Sequence, residues 1–268
     1  MHIDNHTHSH VSNDILVQII LAFPFILLLV IYLHAVYILN QHKRKWPIHR
    51  PVLWTIGILS AVVTVNGPLA DLAHINFTAH MFGHILLGML APLLLALAAP
   101  MTLILRTLPV TASRSMIKVL GSKSIRVLSN PIITSLLNVG GLWLLYTTDL
   151  FVMMHEYSLV YLLVHLHIFM AGYFFTISFI YIDPIAHRTS FVFRSIVLLL
   201  ALTAHSILSK YIYSHPPKGV SAVEAELGAK IMYYGGDVIE IVLVFIICQQ
   251  WFKNSRPKVK ESKQEVYL

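Results

Sequence analysis

His80-Met81-Phe82-Gly83-His84 is the stretch of this chain best equipped for chemistry. Two imidazoles four residues apart lie one above the other on a helical face. That spacing also chelates metal on a helix. The run continues to Pro100 through Leu, Ala, Met, Gly and Pro without a charge, as a membrane span would. Imidazoles inside a span are costly, so such a pair marks a functional site by default.

The elements that must hold this pair are themselves apolar. The chain has 268 residues, 57% hydrophobic and 12% charged. Soluble domains carry about a quarter charged residues, so the composition indicates an all-α integral membrane protein. Net charge is +7, but the basic residues sit in short loops between apolar segments. There they set topology, and they do not form a nucleic-acid surface. The lone Cys248 excludes an internal disulfide and is expected to be a buried small hydrophobe. The first fourteen residues hold four histidines and no Lys or Arg, unlike a signal peptide.

Seven apolar segments of spanning length follow, at 15–39, 51–67, 78–99, 131–147, 158–181, 191–213 and 230–252. The second is interrupted at its end by Asn66-Gly67-Pro68. With these spans, 16 of 19 basic residues fall on one side, including Lys43–Lys45, Arg114, Lys118 and the tail from Lys253. That side should be cytoplasmic. The expected architecture is a seven-helix bundle with its N-terminus outside and its C-terminus inside. It divides into a His-rich outer tail (1–14), a membrane domain (15–252) and a basic cytoplasmic tail (253–268). The loop 101–130 could carry an interfacial helix or be a solvated connector.

Depth then sorts the histidines. At about 1.5 Å per residue, His84, His165 and His205 lie about 9–12 Å below the outer ends of their spans, and Asp237 about 11 Å. Four segments thus bring an ionisable group to one layer. His165 and His167 point about 200° apart and cannot share a site. His165 shares its face with Tyr161, Gly172 and Thr176, which turns it inward, while His167 is expected to be structural. Met81, Met153, Met154 and Met232 sit near the outer ends of spans. Imidazole with thioether suits copper, Cu(I) especially. The expected metal site is His80, His84, His165, His205, Asp237 and Met232. Asp237 could instead orient an imidazole or relay protons, and Glu240 could bond a neighbouring helix. A solvated loop accounts for Asp149, His155 and Glu156.

The run Ala79-His80-Met81-Phe82-Gly83-His84 to Pro92, continuing to Ala99-Pro100-Met101, resembles the bacterial CtaG family of cytochrome c oxidase assembly factors. His165 to Gly172, Ile182-Asp183-Pro184, His205 and Gly228 to Asp237 match in order, so the resemblance covers residues 50–252. It implies a non-enzymatic role in the bacterial plasma membrane: maturation of the oxidase, with copper handled for the haem–copper centre. The partners implied are the oxidase subunit carrying that centre and an extracytoplasmic copper donor. The residues themselves leave other classes open. A membrane oxidoreductase could hold haem between facing histidines. A di-iron hydroxylase would place its histidines on the cytoplasmic side. A transporter would need a repeat or broken-helix pair, and the chain has no internal repeat.

The topology has a direct test. A reporter fused after Leu268 should be active in the cytoplasm, and activity confined to the outside would overturn both the orientation and the depths.

Overall fold

The computed structural model describes residues 4–42, 45–185 and 187–255, with side chains from Leu16 onward. The side chains of the His-rich tract and tail residues 256–268 lie outside the described residues. All regular structure among the described residues is helical. Five helices are long and apolar enough to cross a membrane: Leu16–Gln41, Phe77–Leu97, Ser158–Phe179, Phe191–Ser214 and Ala222–Ser255. Two bent pairs could raise the number to seven. The first pair is His49–Val65 with Pro68–Ile75, bent by 46°, and the second is Pro131–Thr147 with Leu150–Glu156, bent by 78°.

We label the helices α1 (Asp4–Gln41), α2 (His49–Val65), α3 (Pro68–Ile75), α4 (Phe77–Ile85) and α5 (Ala91–Leu97). Then come α6 (Pro100–Thr107), α7 (Val110–Leu120), α8 (Lys123–Leu128), α9 (Pro131–Ser135), α10 (Gly141–Thr147) and α11 (Leu150–Glu156). The last three are α12 (Ser158–Phe179), α13 (Phe191–Ser214) and α14 (Ala222–Ser255). The loop expected at 101–130 is thus three short helices, α6 to α8. The last long helix starts eight residues before the apolar segment predicted there, at Ala222 rather than 230.

The helix carrying the paired histidines is the centre of the bundle. Of its most apolar stretch, 67% is buried within the protein, against 22–44% for the other four long helices. It packs on α2, α3, α12 and α14. The outer helices bury narrower stripes. On α1, Leu21, Ala22, Phe25, Tyr32 and Leu39 face inward at helical spacing, while Ile19, Phe23, Ile26 and Val30 are exposed. That apolar outer surface is what lipid requires. Cys248 is exposed on α14, not buried, because the helix turns it away from its neighbours. It lies on the same outward-facing side as Val244, Phe245 and Trp251.

Two widened π turns interrupt the helices. Leu86–Leu90 joins α4 to α5, and Leu136–Gly140 joins α9 to α10. In the first, Gly88 meets Gly172 of α12 so closely that a Cβ on Gly172 would lie 2.0 Å from the Gly88 carbonyl oxygen. In the second, His167 reaches from α12 and donates from Nε2 to the Leu137 carbonyl at 3.0 Å. A π turn disturbs the regular hydrogen-bond ladder, and His167 supplies the donor, which makes it a structural residue.

The opposite end of the central helix is held by a joint. Ala99 takes a left-handed conformation (φ 53°) and Pro100 starts α6. Asp183 caps that start, accepting from the backbone N–H groups of Met101 (3.0 Å) and Thr102 (2.7 Å) and from the Thr102 hydroxyl (2.6 Å). The Tyr32 hydroxyl donates to the Ala98 carbonyl at 2.8 Å. The Ala99-Pro100 and Asp183-Pro184 motifs are therefore two halves of one turn.

The glycine contact at Gly172 sets a stability test. Gly172→Val should destabilise the protein by about 2–3 kcal/mol, because backbone cannot yield to the new methyl groups. Gly140→Ala meets nothing within 4 Å and should be neutral or slightly stabilising. Thermal unfolding in detergent measures both, and equal effects would contradict the packing described.

Candidate functional site: a buried histidine pair and an outer ring of imidazoles

All four histidines expected in the site are buried: His80, His84, His165 and His205. The bundle arranges them in two groups. Deeper in, His84 of α4 faces His205 of α13, with ring centroids 6.4 Å apart. Gly236 of α14 makes room for the second ring, since a Cβ there would lie 2.7 Å from His205 Cε1. Its neighbour Gly235 clears Ile85 in the same way. The glycines of the Gly-Gly-Asp motif thus let α14 close on the site.

Glu240, not Asp237, meets the imidazole. A Glu240 carboxylate oxygen lies 2.9 Å from His205 Nδ1. A carboxylate accepts, so Nδ1 carries the proton that faces Glu240, and Nε2 is the nitrogen turned away from it. This is the arrangement by which an outer carboxylate orients a metal-binding imidazole. His205 Nε2 has no hydrogen-bond partner, and neither ring nitrogen of His84 has one. Between them lies a cavity of ≈ 20 Å³ that Asn138, Thr176 and Glu240 also line. Its size admits about one water or a single ion. Three unpartnered nitrogens on two facing rings that line one small space are the chemical signature of this site, since buried polar atoms are almost always paired.

The second group lies towards the far ends of α3, α4 and α11. His80 Nε2 shares a 3.1 Å hydrogen bond with the Tyr146 hydroxyl. His165 donates from Nδ1 to the Tyr161 carbonyl at 2.9 Å, and its ring lies 3.9 Å from that of Tyr161. Sequence reasoning passed over two further members, His74 and His155. His74 stacks on Tyr161 at 4.7 Å and meets His155 edge to face at 6.0 Å. His155 is exposed, lies 6.4 Å from His80, and donates from Nδ1 to the Phe151 carbonyl at 2.8 Å. The bends after α2 and α10 fold these two histidines over the core. The only linear signal for them is that α3 and α11 flank interrupted spans.

The remaining expected residues lie apart from the cavity wall. Met232 is fully buried in the apolar core of α14, and Asp237 is half-buried one turn before Glu240. Among the described residues, no three His, Cys, Asp or Glu side chains come together closely enough to hold a metal ion. What the structure offers is a facing pair of imidazoles with an orienting carboxylate.

Residues 30–254 match the family described as cytochrome c oxidase caa3 assembly factor (Caa3_CtaG). The chain is also 25% identical over 242 residues to Uncharacterized protein ML1998 of Mycobacterium leprae (strain TN). That match covers 82% of this chain and 37% of the relative, so the chain spans well under half of the relative's length. No solved structure matches. The family match takes in the paired histidines, the Asp183 joint, His205 and Glu240 together, and the chain belongs to the cytochrome c oxidase caa3 assembly factors.

Proposed function

We propose that this protein handles copper for the haem–copper centre of the oxidase, as cargo rather than as a resident cofactor, and catalyses no reaction. The observation that carries this is the His84–His205 pair with its three unpartnered nitrogens. An ion bound by both rings needs centroids about 6 Å apart, allowing about 2 Å per metal–nitrogen bond and about 1 Å from each nitrogen to its ring centre. The observed 6.4 Å fits. Cu(I) accepts two nitrogen ligands, whereas structural zinc closes a shell of four. Met89 lines the same cavity as the two imidazoles and brings a soft thioether to it, which points the same way. A cavity of ≈ 20 Å³ favours one ion over the haem alternative. The proposed setting is seven spans in the bacterial plasma membrane, with the site in the outer half. There it would receive copper from an extracytoplasmic donor and pass it to the oxidase subunit.

Within this scheme His84 and His205 bind, Glu240 holds the His205 tautomer, and the apolar helices exclude water. In a strain carrying His84→Ala, oxidase subunits should be present but low in activity, and added copper should partly restore it. The purified variant should remain folded, because apolar packing holds the bundle. Full oxidase activity in that strain would remove His84 from the mechanism.

The carboxylates separate cleanly. Glu240→Gln should weaken Cu(I) binding by about 10–100-fold, the usual cost of losing an orienting partner. Asp237→Asn should change it little. Titration against a Cu(I) chelator measures both, and the reverse order would assign the orienting role to Asp237.

A further inference from the structure

Beside the rim formed by α3, α4, α11 and the loop before α14 lies a surface cavity of ≈ 240 Å³. His74, His155, Phe77, Phe151 and Glu224 line it. It is separate from the ≈ 20 Å³ space between His84 and His205. Yet imidazoles run from one to the other. His155 is exposed in the mouth, and its ring lies 6.4 Å from that of buried His80. His80 and His84 are successive turns of α4, about 6 Å apart along the axis. His84 and His205 are again 6.4 Å apart. The first and last steps are thus close to the separation that one ion bound to two imidazoles would span, and the i, i+4 spacing of His80 and His84 is that of two metal ligands on one helix.

The tautomers add an independent observation. His155 Nδ1 is tied to the Phe151 carbonyl, His165 Nδ1 to the Tyr161 carbonyl and His205 Nδ1 to Glu240. Every one of those partners is an acceptor, so in all three rings Nδ1 carries a proton, and Nε2 is the nitrogen left to bind an ion when the ring is neutral. On the route itself, His155 at the mouth and His205 at the buried pair both hold Nδ1 against an acceptor, as metal-binding imidazoles do.

We propose that the cavity at His74 and His155 is the metal intake, and that Cu(I) moves from His155 through His80 and His84 to His205 by exchange between imidazole pairs. The scheme rests on the copper reading of the inner pair. At each step one metal–nitrogen bond forms as another breaks, with no change in oxidation state. His80 gives up its hydrogen bond to the Tyr146 hydroxyl while it carries the ion, which makes Tyr146 a gate that re-forms behind it. No step needs a third ligand, in keeping with the lack of any three-ligand cluster among the described residues.

The test separates rate from capacity. Full-length protein in detergent is mixed with Cu(I) held by a coloured chelator, and metal uptake is followed by stopped-flow absorbance to its end point. His155→Leu should load about tenfold more slowly, a typical effect of removing one metal-orienting group, yet reach the wild-type copper content. His155→Met restores a soft ligand and should recover most of the rate. His84→Ala should lower the final content itself. Loading of His155→Leu at the wild-type rate would overturn the intake while leaving the inner pair intact. A final content in His155→Leu as low as in His84→Ala would also overturn it, since His155 would then be part of the holding site. Wild-type protein that takes up no Cu(I) would remove both the intake and the copper reading.

Discussion

Inside lipid, a polar side chain must find its partner within the protein, and this requirement organises the whole molecule. Most intramembrane polar groups here obey it locally. Thr64 and Thr176 donate to carbonyls one turn back, Ser178 pairs with Thr134, and His167 satisfies the disturbed turn at Leu137. Trp54, Thr78, Ser135 and Arg194 each keep one buried atom unpartnered as well, but the three such nitrogens of His84 and His205 belong to two facing rings that line one cavity. They sit on the most enclosed helix and its neighbour, where an idle polar atom is most costly. The rest of the architecture keeps them there: Gly88 against Gly172 draws α12 in, and Gly235 and Gly236 draw α14 in.

The parts of this arrangement that depend on local pattern were legible in the sequence. The His80–His84 pair follows from helical spacing, and the inward face of His165 follows from its small and polar neighbours on α12. Five of the seven apolar segments became long helices at the places expected. Matched depth placed His84 and His205 in one layer, and they do face each other. Depth alone could not choose between Asp237 and Glu240, which lie one turn apart, about 4.5 Å along the same helix. The close approach that Gly235 and Gly236 allow decides how far α14 advances along its neighbours. That offset is a packing outcome, not a periodicity.

His74 and His155 were illegible for a different reason. Each belongs to a short helix after a sharp bend, 46° after α2 and 78° after α10. A reading that treats spans as straight rods places such residues in solvated loops. The bends themselves have causes that a sequence hints at only weakly. Gly67 takes φ 91° before Pro68, and the Thr148 hydroxyl bonds the Leu144 carbonyl and the Leu150 N–H at the second break. These breaks lay α3 and α11 across the ends of the spans. They turn an interruption in hydropathy into a lid of aromatic and imidazole rings.

The π turns fit the same logic. Each inserts an extra residue into a turn and so rotates everything beyond it relative to what precedes. Beyond Leu86–Leu90 the central helix buries Leu93, Leu95 and Ala96, while before it the helix buries His80 and His84. One helix thereby meets two different requirements, dry packing at one end and a polar pair at the other. The number of ligands at that pair has its own consequence. A closed shell of three or four ligands holds a metal firmly, as structural zinc sites do. In the proposed scheme two imidazoles, one of them held by a single carboxylate, would hold an ion with less enclosure and leave a coordination position for a receiving ligand. A site meant to retain a metal would gain from a third ligand, and Asp237 is half-buried one turn away. That Glu240 instead engages His205 Nδ1, as its support, is what the proposed transfer of an ion would use.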